Sequence, residues 1–311
     1  MIWRTFITCS FAVFTLGSLE LGTAGHGTES GAETKFGKAK VEEVSAVQGI
    51  PAAIVIGIVG GILGAFFINV NFRMNALRKQ CLKSNWIKPV ETGIWCLMSA
   101  SCFFLVPRYL SGSCVSRDKV SGNEDLHYRA WCKDPNSLDP NASIFWSAEG
   151  EIIRNLMNNE IPIELVNVAI FLGCWYIFTI TTYGTNVPAG LFLPGMIIGC
   201  ALGKVMFMLA NDWGIVFGTD EEKMQVQTHY IILACGGFMA GYTRMTYSLA
   251  VILMETSQSI EIFVPMVLCI AVSNYTGYFF TRSLYERATR GKQMPIILED
   301  VPSQNHGVIA E

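Results

Sequence analysis

The chain has 311 residues, of which 51% are hydrophobic and 15% charged, with a mean hydropathy of +0.38 and a formal net charge of −3. Typical soluble domains carry about 25% charged residues, so this composition excludes an ordinary water-soluble fold and places the chain in a lipid bilayer. It also sets nucleic-acid binding aside, because no basic patch is large enough to neutralise a run of phosphates.

Met1 to Leu19 combine a single arginine with an apolar stretch and are followed by Gly22-Thr23-Ala24-Gly25. Two readings stand: a secretory signal peptide with a small-residue cleavage site, or a short membrane helix. Residues 26–47 are polar and read as a loop. Ile50 to Phe72 form an apolar run of spanning length, since a hydrocarbon core of about 30 Å takes about 20 helical residues. Gly57, Gly60, Gly61 and Gly64 give that run a small-residue face against which another helix can pack closely. Arg73, Arg78, Lys79, Lys83 and Lys88 follow with no acid before Glu91, which predicts a cytoplasmic loop by the positive-inside rule.

Gly93 to Leu110 return across the bilayer, and the polar residues 111–160 then form a luminal or extracellular loop. Within it Asn141-Ala142-Ser143 is an N-glycosylation sequon. Cys114 and Cys132 lie in the same loop and either form a disulfide, if the loop faces a lumen, or remain two free thiols. Most other cysteines sit inside apolar runs, as small hydrophobes. No CxxC pair or Cys/His cluster has zinc spacing, so no metal and no cofactor are expected. The absence of GxSxG and HExxH patterns turns the reading away from an enzyme.

From Ile161 onward the predicted membrane segments are 161–182, 190–210, 229–241, 244–256 and 260–281. Several are short. Gly236-Gly237 and Gly241-Tyr242-Thr243-Arg244 interrupt one apolar stretch, and broken helices at membrane depth are tolerated where the backbone faces protein or an aqueous cavity. Arg287, Arg290 and Lys292 make the end of the chain basic and hence cytoplasmic. Glu255 and Arg244 are ionisable groups at membrane depth, for which structural roles are preferred. Glu164 and Glu91 sit near predicted interfaces and need no special role.

The chemistry is concentrated at Gly190-Leu191-Phe192-Leu193-Pro194, which opens an apolar helix. The first N–H groups of a helix have no internal partner, and the helix dipole places partial positive charge at that end. Buried near mid-membrane, such an end can hold an anion without a lysine or arginine, whose full charge would slow release. Gly190 removes the side chain that would block approach, and Pro194 is tolerated in the first turn.

Residues Tyr183 to Gly199, with their GxFxP helix start, resemble a signature of the CLC family of chloride channels and proton-coupled chloride exchangers. Gly241 to Thr256 are similar to a second stretch of that family, in the family's order. The glycine-rich residues 57–64 and residues 145–156 also fit, and the details lean toward its endosomal–lysosomal branch. The resemblance implies an all-α polytopic fold with broken, tilted helices, like the second part of the CLC inverted repeat. It implies a partial membrane domain over residues 1–296 and a cytoplasmic tail over 297–311.

Chloride would then be the transported ion, and the amides of Leu191 and Phe192 would face it. The chain would form a homodimer or associate with a full-length relative, with residues 2–18 and 244–281 in or near the interface. The family's first half, with its anion-loop serine, gating glutamate and proton-relay glutamate, is not found in the chain. Met294 falls where many members carry an inner-gate tyrosine. These departures predict a fragment or an incomplete gene model, leave channel and exchanger both open, and admit a non-conducting interaction subunit as an alternative.

Overall fold

The computed structural model describes residues 46–81, 84, 86–110, 114–116, 132, 134, 137–158, 163–185, 187, 190–216, 220–257 and 262–291. The expectations for Met1 to Leu19, for Met294 and for the tail at 297–311 lie outside the described residues. In chain order the helices are α1 (Ala46–Cys81), α2 (Ile87–Leu110), α3 (Pro140–Trp146), α4 (Glu149–Asn158), α5 (Leu165–Thr182), α6 (Phe192–Asp212), α7 (Asp220–Thr243), α8 (Tyr247–Ser257), α9 (Phe263–Phe280) and α10 (Leu284–Gly291). Two short strands, β1 (Val115–Ser116) and β2 (Ser137–Leu138), pair antiparallel. The class is all-α, and five of the helical stretches are long and apolar enough to cross a membrane.

The centre of the fold is a bundle of α1, α7 and α9, with α6 packed on the far side of α7. Lipid is as apolar as leucine, so helices in a bilayer hold together through close contact rather than through hydrophobic exclusion from water. The glycines of α1 supply that contact. A Cβ on Gly60 would stand 2.6 Å from the backbone carbon of Gly237, and one on Gly64 would stand 2.6 Å from that of Gly241. The neighbouring stripe of α1 meets α9, where a Cβ on Gly61 would stand 2.7 Å from the Ser273 carbonyl oxygen. Ser273 in turn donates its hydroxyl hydrogen to the Gly237 carbonyl, joining α9 to α7.

Gly236 and Gly237 therefore do not break α7, contrary to the sequence expectation; the helix runs through them to Thr243 because they are contact points. The break comes at residues 244–246, where Arg244 adopts a left-handed backbone (φ 61°). Its guanidinium donates to the carbonyls of Gly241 at 3.1 Å, Asn274 at 3.3 Å and Thr281 at 2.7 Å. Gly241 and Thr281 lie at the C-terminal ends of α7 and α9, where carbonyls lack intrahelical donors and are favourably met by a cation, and Asn274 lies within the last two turns of α9. The structural role expected of Arg244 is what it performs. Glu255 stands exposed on α8.

Two further expectations change. Residues 73–81, read as loop from their basic charge, extend α1 by more than two turns. The stretch 111–160 is not loop throughout. Cys114 and Cys132 are joined by a disulfide beside the β1–β2 ladder, and α3 and α4 follow. Asp139 caps α3 by accepting the amide hydrogens of Asn141 and Ala142. The Asn141 side chain is 2% exposed and donates its amide hydrogen to the Leu110 carbonyl at 2.9 Å, tying α3 to the end of α2. The sequon is thereby corrected: a glycan needs an accessible side-chain nitrogen, and this one is enclosed.

Replacing Gly64 with leucine is expected to disrupt the bundle, at more than the ~1–3 kcal/mol of ordinary overpacking, because the obstruction is backbone. Gly93→Ala, at a position with open space around it, should be neutral or stabilising by up to about 1 kcal/mol. Thermal unfolding of both variants in detergent checks the contrast.

Candidate functional site: the start of α6

Leu191 is the N-cap of α6, and the helix begins at Phe192. The Leu191 carbonyl accepts two hydrogen bonds, one from the Gly195 amide at 3.1 Å and one from the Tyr242 hydroxyl at 2.9 Å. Its oxygen is thus turned inward, toward α6 and α7. The first amides of the helix, those of Phe192 and Leu193, point the other way and have no intrahelical acceptor. Pro194, third in the helix, has no N–H to leave unpaired. The five residues read from the sequence therefore do come together as one helix start. Leu191 is 8% exposed, Leu193 and Pro194 are half-buried, and Gly190 and Phe192 are exposed.

Space opens in front of this helix start. A cleft of about 220 Å³ is lined by Ser99 and Phe103 of α2, Thr179 and Tyr183 at the end of α5, and Gly190 and Leu191. Nothing lies within 4 Å of where a Gly190 Cβ would sit. Gly190 is consequently not demanded by packing, and a side chain there would project into the cleft. Tyr183 also lines a second, larger cleft of about 720 Å³, shared with Asn71, Asn75, Arg78, Gly184 and Leu284. The two spaces adjoin at Tyr183.

Tyr242 is the residue that sequence reasoning passed over. It is 1% exposed and sits in an aromatic group with Phe67 and Phe238, ring centroids 5.3 Å away in each case. A Cβ on Gly195 would strike its hydroxyl, so Gly195 is small in order to admit the phenol that holds Leu191. Tyr242 was embedded in the quoted Gly241–Thr256 stretch, but nothing in its spacing from Leu191 shows the contact.

Chemically the arrangement presents amide hydrogens, a positive helix end and a cleft with no acidic side chain among its described lining residues. That suits a small anion. Among the described residues no group of three or more His, Cys, Asp or Glu side chains is placed to hold a metal ion.

Comparisons with known proteins point the same way. Residues 1–278 match the family model described as voltage gated chloride channel. The chain is 28% identical to the chloride channel protein CLC-d of Arabidopsis thaliana over 96% of its own length and 39% of that protein. It is 25% identical to the H(+)/Cl(-) exchange transporter 7 of Homo sapiens over 100% of its own length and 38% of that protein. Among solved structures, a eukaryotic CLC transporter superposes with a TM-score of 0.53 at 22% identity, covering 80% of this chain and 36% of the other. A slow cyanobacterial Cl−/H+ antiporter gives 0.52 at 11% identity, covering 81% and 49%. The chain thus spans about two fifths of the length of the curated relatives it matches.

Tyr242→Phe leaves the Leu191 carbonyl with the Gly195 amide alone and is expected to destabilise the chain by about 1 kcal/mol. Gly195→Ala, which displaces the phenol, should cost about 1–3 kcal/mol. Unfolding midpoints in detergent, ranked wild type, Y242F, G195A, are the check.

Proposed function

Because the chain belongs to the voltage-gated chloride channel family, we propose that it supplies one side of an anion pathway, moving chloride as part of a channel or a chloride/proton antiporter. One observation carries this reading: the start of α6, whose first amides have no intrahelical acceptor, borders an open cleft at Gly190, Leu191 and Pro194, while the Leu191 carbonyl is held by Tyr242. Leu191, Phe192 and Leu193 hold the ion through backbone hydrogens, Gly190 leaves the approach clear, and Pro194 adds no competing donor. Binding by partial charges alone keeps the ion exchangeable. The relatives include proteins named as chloride channels and proteins named as H(+)/Cl(-) exchange transporters, so the reading keeps both modes. Resemblance to that branch places the protein in an endosomal or lysosomal membrane.

A second reading has its own observation. Tyr275, Tyr278 and Phe279 are 80%, 74% and 82% exposed on α9, within the segment expected at a subunit interface. A homodimer or a complex with a full-length relative would cover them, and a non-conducting partner would need no pathway of its own. Co-purification with such a relative in detergent, without flux, is the outcome that favours it.

The test of the leading reading is chloride binding by titration calorimetry on the purified chain, together with radiochloride efflux from proteoliposomes. Gly190→Leu places a bulky side chain at an exposed position where a Cβ meets nothing within 4 Å, so its unfolding midpoint should stay close to the wild-type value. Its chloride affinity should fall about tenfold or more, equivalent to about 1.4 kcal/mol. An unchanged affinity would remove the site assignment.

A further inference from the structure

The last turns of α1 carry Asn71, Asn75 and Arg78, spaced so that they lie one above another on a single helix face. Asn71 is fully buried and donates both amide hydrogens to backbone carbonyls, to Ile180 at 2.8 Å and to Tyr183 at 2.7 Å. Asn75 donates to the Asn71 side-chain oxygen at 2.9 Å and accepts from Arg78 at 3.1 Å. Arg78 completes the set, donating to the carbonyls of Thr181 and Tyr183 and to the Glu91 carboxylate, the last at 2.6 Å. The carbonyls involved are those at the end of α5, which no amide of that helix reaches. Directly after them Gly184 takes a left-handed backbone (φ +97°), and a Cβ there would collide with the Asn75 amide. Gly184 lies seven residues before Leu191.

An arginine at the mouth of a polar cleft invites the reading that it attracts anions by its charge. The geometry is against that. The Arg78 side chain is 10% exposed, and its Nε, Nη1 and Nη2 are all turned onto protein acceptors. Glu91 beside it balances the charge. What the three side chains do is fix the end of α5 and the turn at Gly184, from which the chain runs to the helix start.

We propose that Asn71, Asn75 and Arg78 form a clamp that positions the Gly184 turn and thereby the amides at the start of α6, with Arg78 a positioning residue and not an anion ligand. The proposal deepens the anion-site reading and rests on it. Arg78→Lys separates the two roles, because lysine keeps the charge and loses the fork. The expected result is amide exchange at least tenfold faster over residues 184–194, measured by mass spectrometry on the full chain in detergent. Chloride affinity should fall at least fivefold, with the order of preference between chloride and nitrate altered. Arg73→Gln, which removes an exposed charge from the same helix outside the clamp, should change neither. Should Arg78→Lys fold poorly, Asn75→Ala removes the central bridge alone and is expected to move both readouts in the same direction.

Exchange and affinity at wild-type values in Arg78→Lys overturn the clamp. An affinity lost in Arg78→Gln, kept in Arg78→Lys and likewise lost in Arg73→Gln assigns Arg78 to charge attraction and overturns it as well. Faster exchange in Arg78→Lys, in a wild-type chain that binds no chloride, retains the fastening of the Gly184 turn and refutes the anion site.

Discussion

Backbone contact between α1 and α7, at Gly60 against Gly237 and Gly64 against Gly241, is the constraint from which the remaining geometry follows. A helix pair separated by ordinary side chains lies 8–10 Å apart, and here the glycines remove that spacer. Gly241 is pressed against α1, so Tyr242, the next residue, is fixed in position among Phe67 and Phe238. Tyr242 then holds the Leu191 carbonyl and orients the start of α6. Each step depends on the one before it. A looser α1–α7 pair would leave the phenol free to move and the amides of Phe192 and Leu193 without a fixed direction.

Charge is used in the fold in a manner opposite to first intuition. Arg78 and Arg244 are directed at carbonyls where α5, α7 and α9 terminate. There they satisfy acceptors that hydrocarbon could not. Among the described residues no charged side chain lines the cleft beside Leu191. For a transported ion this division is favourable, since a guanidinium in the pathway would trap an anion that a helix end only steadies.

Sequence reading reached the helix start at Leu191, the close-packing face of α1 and the backbone-holding role of Arg244, because each is a local signal. Glycine repeats at helical spacing, a Gly-to-Pro opening and an arginine at a break are visible within a few residues. It misjudged the end of α1, where Asn75 and Arg78 fall in a basic stretch that reads as a loop by its charge. The partners of Asn71 and Arg78 are the carbonyls of Ile180, Thr181 and Tyr183, a hundred positions away, and backbone acceptors leave no trace in a sequence. Asn141 was misread for the same reason, as its partner is the Leu110 carbonyl. Tyr242 sits in a recognised stretch, yet its role depends on Gly195 being small and Leu191 being adjacent, which only the three-dimensional arrangement discloses.

The interlock of α1 with α7 and α9 has a consequence for biosynthesis. The glycine face of α1 is made before its partners at Gly237, Gly241 and Ser273, which follow it in the chain. Until then α1 sits in the bilayer with its close-contact surface against lipid or a passing chaperone, a state prone to mispairing and degradation. Substitutions in the late helices should therefore appear in cells first as low abundance and retention during maturation, before any defect in ion movement can be scored.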